Sequence, residues 1–139
     1  MLLLDNSAWA RLNSPRLAEG RRGFVADQIE AGEVAVCTPF LLEAGYSARS
    51  AANHAGMLER LMALPWVRVT PDIEDSALRA QAELARVGHH RVAPSDLVIA
   101  ACASSVGAAV LHYDRDFDVI ADRTGLHAGS EWLAPRGSL

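Results

Sequence analysis

The rhythm of its apolar segments constrains this chain more than any other feature. Residues 2–4, 34–37, 66–69 and 109–111 are short, almost wholly apolar, and separated by stretches with helical spacing. A strand with one buried face alternates apolar and polar residues, whereas a strand buried on both faces runs apolar throughout. Short two-faced strands alternating with helices predict a parallel sheet covered on both sides. The expected fold class is α/β, a three-layer α/β/α sandwich around a central, mostly parallel sheet of four to five strands. A short fifth strand is expected near residues 126–129.

The helical segments follow from the same pattern. Residues 7–13 read as a short helix, and residues 16–31 as a longer one with Leu17, Phe24, Val25 and Ile29 inward and Gly32 just past its end. Thr38-Pro39 opens a helix to about Ser50. Another starts at Asn53 with Leu58, Leu61 and Met62 on one face. Pro71-Asp72 begins a long helix carrying Ile73, Ala77, Ala80, Leu84 and Val87 at helical spacing. Pro94-Ser95-Asp96 opens a nearly all-apolar helix over 97–106, which must be buried on most sides. A short helix follows Asp116-Phe117.

Composition narrows the class. The 139 residues suit a single domain spanning 1–139, with its core over about 2–133 and a short C-terminal tail. No apolar run approaches the roughly 20 residues that span a bilayer. Asp5 interrupts the N-terminal apolar run, and no basic segment precedes it, so no signal peptide is read and the expected location is cytoplasmic, with no membrane partner. Cys37 and Cys102 stand far apart in apolar segments, which suits small buried hydrophobes and no thiolate zinc site. The net charge is −4, and all 13 basic residues are arginine. Without a lysine there is no Walker A phosphate loop, no Schiff base and no haloacid-dehalogenase phosphatase chemistry.

In sheets of this kind ligands bind outside the carboxyl ends of the strands. Five acids are expected at that edge. Asp5 ends the first strand, Glu43 lies early in the helix after the second, Asp96 begins the buried helix, and Asp114 and Asp116 follow the fourth strand. Clustered carboxylates repel one another unless a cation neutralises them. An oxygen-only donor set implies Mg2+, with Mn2+ as a substitute, and suits phosphoryl chemistry. Taken singly, Asp96 also reads as a helix cap and Asp114-Arg115-Asp116 as a solvated turn.

These motifs together resemble the PIN-domain ribonucleases. Asp5-Asn6-Ser7 is similar to their Asp-x-Ser/Thr opening, and Pro39-Phe40-Leu41-Leu42-Glu43 to their second acidic motif. Ser95-Asp96-Leu97-Val98-Ile99-Ala100-Ala101 is similar to their Asp-x-x-Ile-Ala-Ala helix start, and His112-Tyr113-Asp114-Arg115-Asp116-Phe117 to their closing Asp-x-Asp-Phe motif. Order, spacing and length resemble the VapC-type toxins of toxin–antitoxin pairs, over roughly residues 2–133. The resemblance implies an Mg2+-dependent endoribonuclease that cleaves single-stranded regions of RNA. Asp5 and Asp96 would be the principal metal ligands, Asp114 and Glu43 would complete the pocket, and Asp116 would be a fifth catalytic acid. Ser7 and Asn6 would position substrate or water. The same resemblance implies a homodimer and a small VapB-type antitoxin, with Tyr46, Met57, Leu58 and Leu61 as candidate interface residues.

Arg11, Arg21 and Arg22 make the N-terminal region locally basic and are candidate RNA contacts. His112 reads equally as a packed strand-end residue or a site-lining one, and Asp118 as a surface acid. Two alternatives share the fold: an RNA-processing nuclease without an antitoxin, and a non-catalytic module that binds RNA or protein.

Overall fold

Val34, Ala35, Val36 and Cys37 are each fully buried, as are Leu3 and Leu4. Successive strand residues point to opposite faces, so helices must cover both sides of the sheet. The computed structural model describes all 139 residues and has that arrangement. Five strands, β1 (Leu2–Leu4), β2 (Val34–Cys37), β3 (Trp66–Val67), β4 (Ala109–His112) and β5 (Gly129–Trp132), form one sheet in the order β3-β2-β1-β4-β5. Every pairing is parallel. Seven helices flank it: α1 (Asn6–Trp9), α2 (Glu19–Glu30), α3 (Thr38–Tyr46), α4 (Ala51–Met62), α5 (Pro71–Arg86), α6 (Pro94–Ser105) and α7 (Asp116–Arg123). The three-layer α/β/α fold is the one expected.

The strand order matters for the site. The chain builds outward from β1 through β2 to β3, then returns to β4 on the other side of β1. The crossovers on either side of β1 therefore leave in opposite directions, which opens a crevice at the carboxyl ends of β1 and β4. Helix α6 carries seven buried residues among its twelve and packs against both strands, α3, α5 and α7. Cys37 and Cys102 are buried free thiols within this core.

Several elements differ from the sequence-based expectation. The fifth strand is 129–132, not 126–129. It is a half-exposed edge strand of sequence Gly-Ser-Glu-Trp, so no apolar pattern marks it. Helix α1 is only four residues long, and residues 10–13 are turns. Helix α2 begins at Glu19, and Leu17 enters the core from the preceding turn. Phe24 is 40% exposed, under the Arg21 guanidinium, and Val25 takes the inward position. Helix α3 ends at Tyr46, and Ser50 caps α4 by accepting the Asn53 N–H. The Thr38 hydroxyl accepts from the Trp66 indole at 3.3 Å and makes no cap bond. Met62 and Val87 face solvent.

Gly129 stands opposite Ala109, where a Cβ would lie 2.8 Å from the Ala109 Cβ. We predict that Gly129→Ala costs about 1–3 kcal/mol through overpacking. In contrast, Gly23 in α2 has open space around it, and Gly23→Ala should stabilise by about 0.5–1 kcal/mol. Urea unfolding of both variants checks the opposite signs.

Candidate active site

The acids are positioned by the ends of the elements that carry them. Asp5 leaves β1 in an extended conformation and caps α1, its Oδ2 accepting the Ser7 N–H at 2.8 Å. The Ser7 hydroxyl donates to the same oxygen. That hydroxyl also accepts the Tyr113 N–H at 2.8 Å, which ties the end of β1 to the end of β4. Asp114 follows β4 by two residues, and its Oδ1 accepts the Asp116 N–H at 3.0 Å where α7 begins. Asp96 sits in the first turn of α6, opened by Pro94. Glu43 lies on α3, and its Oε1 accepts the Ser95 hydroxyl at 2.7 Å.

Carboxylate oxygens of Asp96, Asp114 and Asp116 lie within 4.8 Å of one another. Asp96 is only 8% exposed. Burial, and then the charges of Asp5, Asp114, Glu43 and Asp116, push its carboxyl up to about 7. The same list of neighbours places all five acids within one electrostatic environment. Asp5 is also buried, and burial raises its pKa. The two Ser7 hydrogen bonds oppose that rise, and the Glu43 charge adds to it. A set of hard oxygen donors under mutual repulsion, with no basic side chain paired to any of the five, fits a divalent cation of the Mg2+ type.

Comparison with known proteins agrees with this geometry. The PIN domain family model matches residues 2–123. This chain belongs to the PIN domain family. The chain is 38% identical over 139 residues to ribonuclease VapC18 of Mycobacterium tuberculosis, covering 98% of this chain and 97% of that one. It is 43% identical over 128 residues to ribonuclease VapC2 of M. tuberculosis, covering 88% and 86%. Among solved structures, the fold is similar to DNA-bound VapBC from Salmonella typhimurium, with a TM-score of 0.73, 22% identity and coverage of 96% and 98%. VapBC-5 from M. tuberculosis matches with a TM-score of 0.60, 25% identity and 94% coverage of each chain.

Around the acids of this PIN domain, the other expected residues divide. Asn6 and Glu43 line a depression of about 460 Å³ together with Leu42 and Tyr46. Arg11 stacks over the Tyr113 ring at 4.7 Å and donates to the Ser7 carbonyl. Arg21 is engaged with the Leu133 and Trp132 carbonyls and with Glu131, and Arg22 with the Leu12, Ser14 and Leu17 carbonyls. Both guanidinium groups hold the fold of their own chain. Tyr46 is 94% exposed, while Met57 and Leu58 are half-buried. Leu61 is buried in the core, which corrects its expected place at an interface, and Leu42 and Met62 are the exposed apolar neighbours instead.

Sequence reasoning gave no contact to Ser95 or Ser130, read Asp118 as a surface acid, and left His112 open between packing and lining the site. Ser95 holds Glu43, and its position beside Asp96 was the available signal. Asp118 is not a free surface acid, because it accepts from Ser130 Oγ and from the Trp132 indole at 2.9 Å. His112 is fully buried and bonded to Ser130. Nothing local in the sequence announces the Ser130–Asp118–His112 grouping.

The raised pKa of Asp96 has a definite sign. A carboxyl that ionises near 7 when folded and near 4 when unfolded favours the folded state below pH 4, and that advantage fades as pH rises towards 7. The Asp96 contribution should therefore lower the melting temperature of the metal-free protein between pH 5.5 and pH 7.5, against an opposite contribution from His112, whose pKa burial lowers. Asp96→Asn should flatten that dependence, and Mg2+ should raise the melting temperature of the wild type at pH 7.5 but not of the variant. Differential scanning calorimetry at the two pH values checks all three.

Proposed function

We propose that this chain is a divalent-metal-dependent endoribonuclease that cleaves single-stranded regions of RNA, and the toxin of a VapBC-type toxin–antitoxin module. The observation that carries the reading is the partly buried acid cluster at the carboxyl edge of a PIN domain whose relatives, matched over most of their length, are named ribonucleases. Asp5 and Asp96 would be the principal ligands of Mg2+, or of Mn2+ in its place, with Asp114 and Glu43 completing the negative pocket, and the proximity of Asp116 to Asp96 and Asp114 supports a place for it in the same ligand set. The cation, when bound, supplies Lewis acidity toward water and toward the phosphodiester.

The residues of the chain supply the rest. Ser7 holds Asp5 in one rotamer against the sheet edge, so that its carboxylate faces the substrate without searching conformations. Ser95 does the same for Glu43. A water oxygen attacks phosphorus, the bond to the 3′ oxygen breaks, and the products are a 3′-hydroxyl and a 5′-phosphate. Asn6, which lines the depression beside Glu43, would orient substrate or water. Of the proposed RNA contacts Arg11, Arg21 and Arg22, Arg11 is supported best, being within a hydrogen bond of Ser7.

The proposal extends to partners. The exposed Leu42 and Tyr46, with Met57 and Leu58 behind them, form apolar surface suited to a homodimer or antitoxin contact. A VapB-type antitoxin would silence the site by presenting an arginine or lysine to the carboxylates in place of the cation. The chain would act as a single domain in the cytoplasm, and no helix is long and apolar enough to cross a membrane.

The test is cleavage of total RNA by antitoxin-free protein. We expect discrete fragments with Mg2+ and none with EDTA. Asp5→Asn and Asp96→Asn should each lower the rate by about a hundredfold or more. Cleavage that persists in EDTA or in both variants contradicts the proposal.

A further inference from the structure

His112 closes β4 with no exposed surface, packed between the Phe117 and Trp132 rings at centroid distances of 5.0 Å. Its Nδ1 accepts the backbone N–H of Asp114 at 3.1 Å. A backbone amide can only donate, so Nδ1 carries no proton and the neutral ring carries its proton on Nε2. That Nε2–H donates to Ser130 Oγ at 2.7 Å. The Ser130 hydroxyl in turn donates to Asp118 Oδ1, and the Trp132 indole donates to Oδ2 of the same carboxylate. Each hydrogen bond in this chain runs one way, from the imidazole to Asp118. Asp118 and Ser130 thereby fix the tautomer that leaves Nδ1 as an acceptor.

The acceptor is spent on one bond, and that bond sets the turn carrying the acid pair. Beyond β4 the main chain leaves the sheet, and its next two amides are both captured by side chains. Tyr113 N–H goes to Ser7, and Asp114 N–H goes to His112. Asp114 then accepts the Asp116 N–H, so the carboxylate of one acid orients the backbone of the other.

We propose that His112 is a positioning residue for the acid cluster, its Nδ1 holding the Asp114 amide while Ser130 and Asp118 hold its tautomer. The inference rests on the divalent-cation reading of the cluster. It adds three residues outside the five-acid cluster, His112, Ser130 and Asp118, that determine how tightly the cluster binds a cation.

Two substitutions separate this role from packing. An asparagine side chain places its amide near the position of Nδ1, so His112→Asn retains an acceptor for the Asp114 N–H. A glutamine side chain reaches the position of Nε2, so His112→Gln keeps the Ser130 bond and loses the Asp114 bond. Both remove the same ring from between Phe117 and Trp132, so their losses in melting temperature should be similar. Mn2+ affinity, read by electron paramagnetic resonance titration of the free ion, should differ. We expect His112→Gln to weaken binding about tenfold or more and His112→Asn to stay within about threefold of the wild type. Ser130→Ala leaves the ring in place and removes the tautomer control, and should weaken binding several-fold, with a loss in melting temperature from the unpartnered Nε2–H no larger than that of the His112 variants. Equal Mn2+ affinity for the two His112 variants, or wild-type affinity for Ser130→Ala, overturns the positioning role. If both His112 variants fail to fold, the Ser130→Ala result decides it alone. If the wild-type protein itself binds no Mn2+, the cation reading falls and takes this inference with it, an outcome distinct from the others.

Discussion

Mutual repulsion among carboxylates that the fold does not allow to separate is the constraint on which the rest of this structure depends. Three carboxylates with oxygens within 4.8 Å of one another, one of them nearly buried, are an unfavourable arrangement in any isolated peptide. They persist here because each is anchored to a different rigid element. Asp96 begins a helix sealed in the core, Asp114 follows a central strand, and Asp116 starts the helix after it. The core thus supplies the free energy that holds like charges together. A small cation placed among them would relieve that repulsion.

The parallel sheet supplies the geometry. β1 and β4 are neighbours in the sheet and distant in sequence, and their carboxyl ends meet where the strand order reverses. Asp5 and Asp114 therefore come together only in the folded chain. Ser7 converts that adjacency into a fixed relation, donating to Asp5 and accepting from Tyr113. On the far side of β4, β5 does the corresponding work through Ser130, although it lies at the edge of the sheet. The edge strand thus reaches the turn after β4 through His112, and Gly129 packs closely against Ala109 in the same pairing.

Much of this was legible in the sequence, for a physical reason. Strands buried on both faces must be apolar throughout, so β1, β2 and β4 stand out, and acids placed just after them stand out more. α5 was legible because Ile73, Ala77, Ala80 and Leu84 face the core at helical spacing. What stayed hidden depends on distant pairings. Gly129–Trp132 is recognisable as a strand only once β4 is beside it. Asp118 looks like any helix-surface acid until Ser130 and Trp132 arrive from β5. Arg21 and Arg22 looked like a basic patch because the carbonyls that engage them, at Leu133 and Trp132 and in the loop before α2, carry no signal in residue type. Placement after the strands grouped the acids at one sheet edge, and the family resemblance added the role expected of each.

The central claim is that these carboxylates form a divalent-cation site. Crystals of the protein soaked in Mn2+ test it directly, because anomalous scattering locates the ion without assumption. The account predicts a strong anomalous peak bounded by Asp96, Asp114 and Asp116, lost in crystals of Asp96→Asn. No peak among these residues at saturating Mn2+, or a peak unaffected by Asp96→Asn, would contradict it.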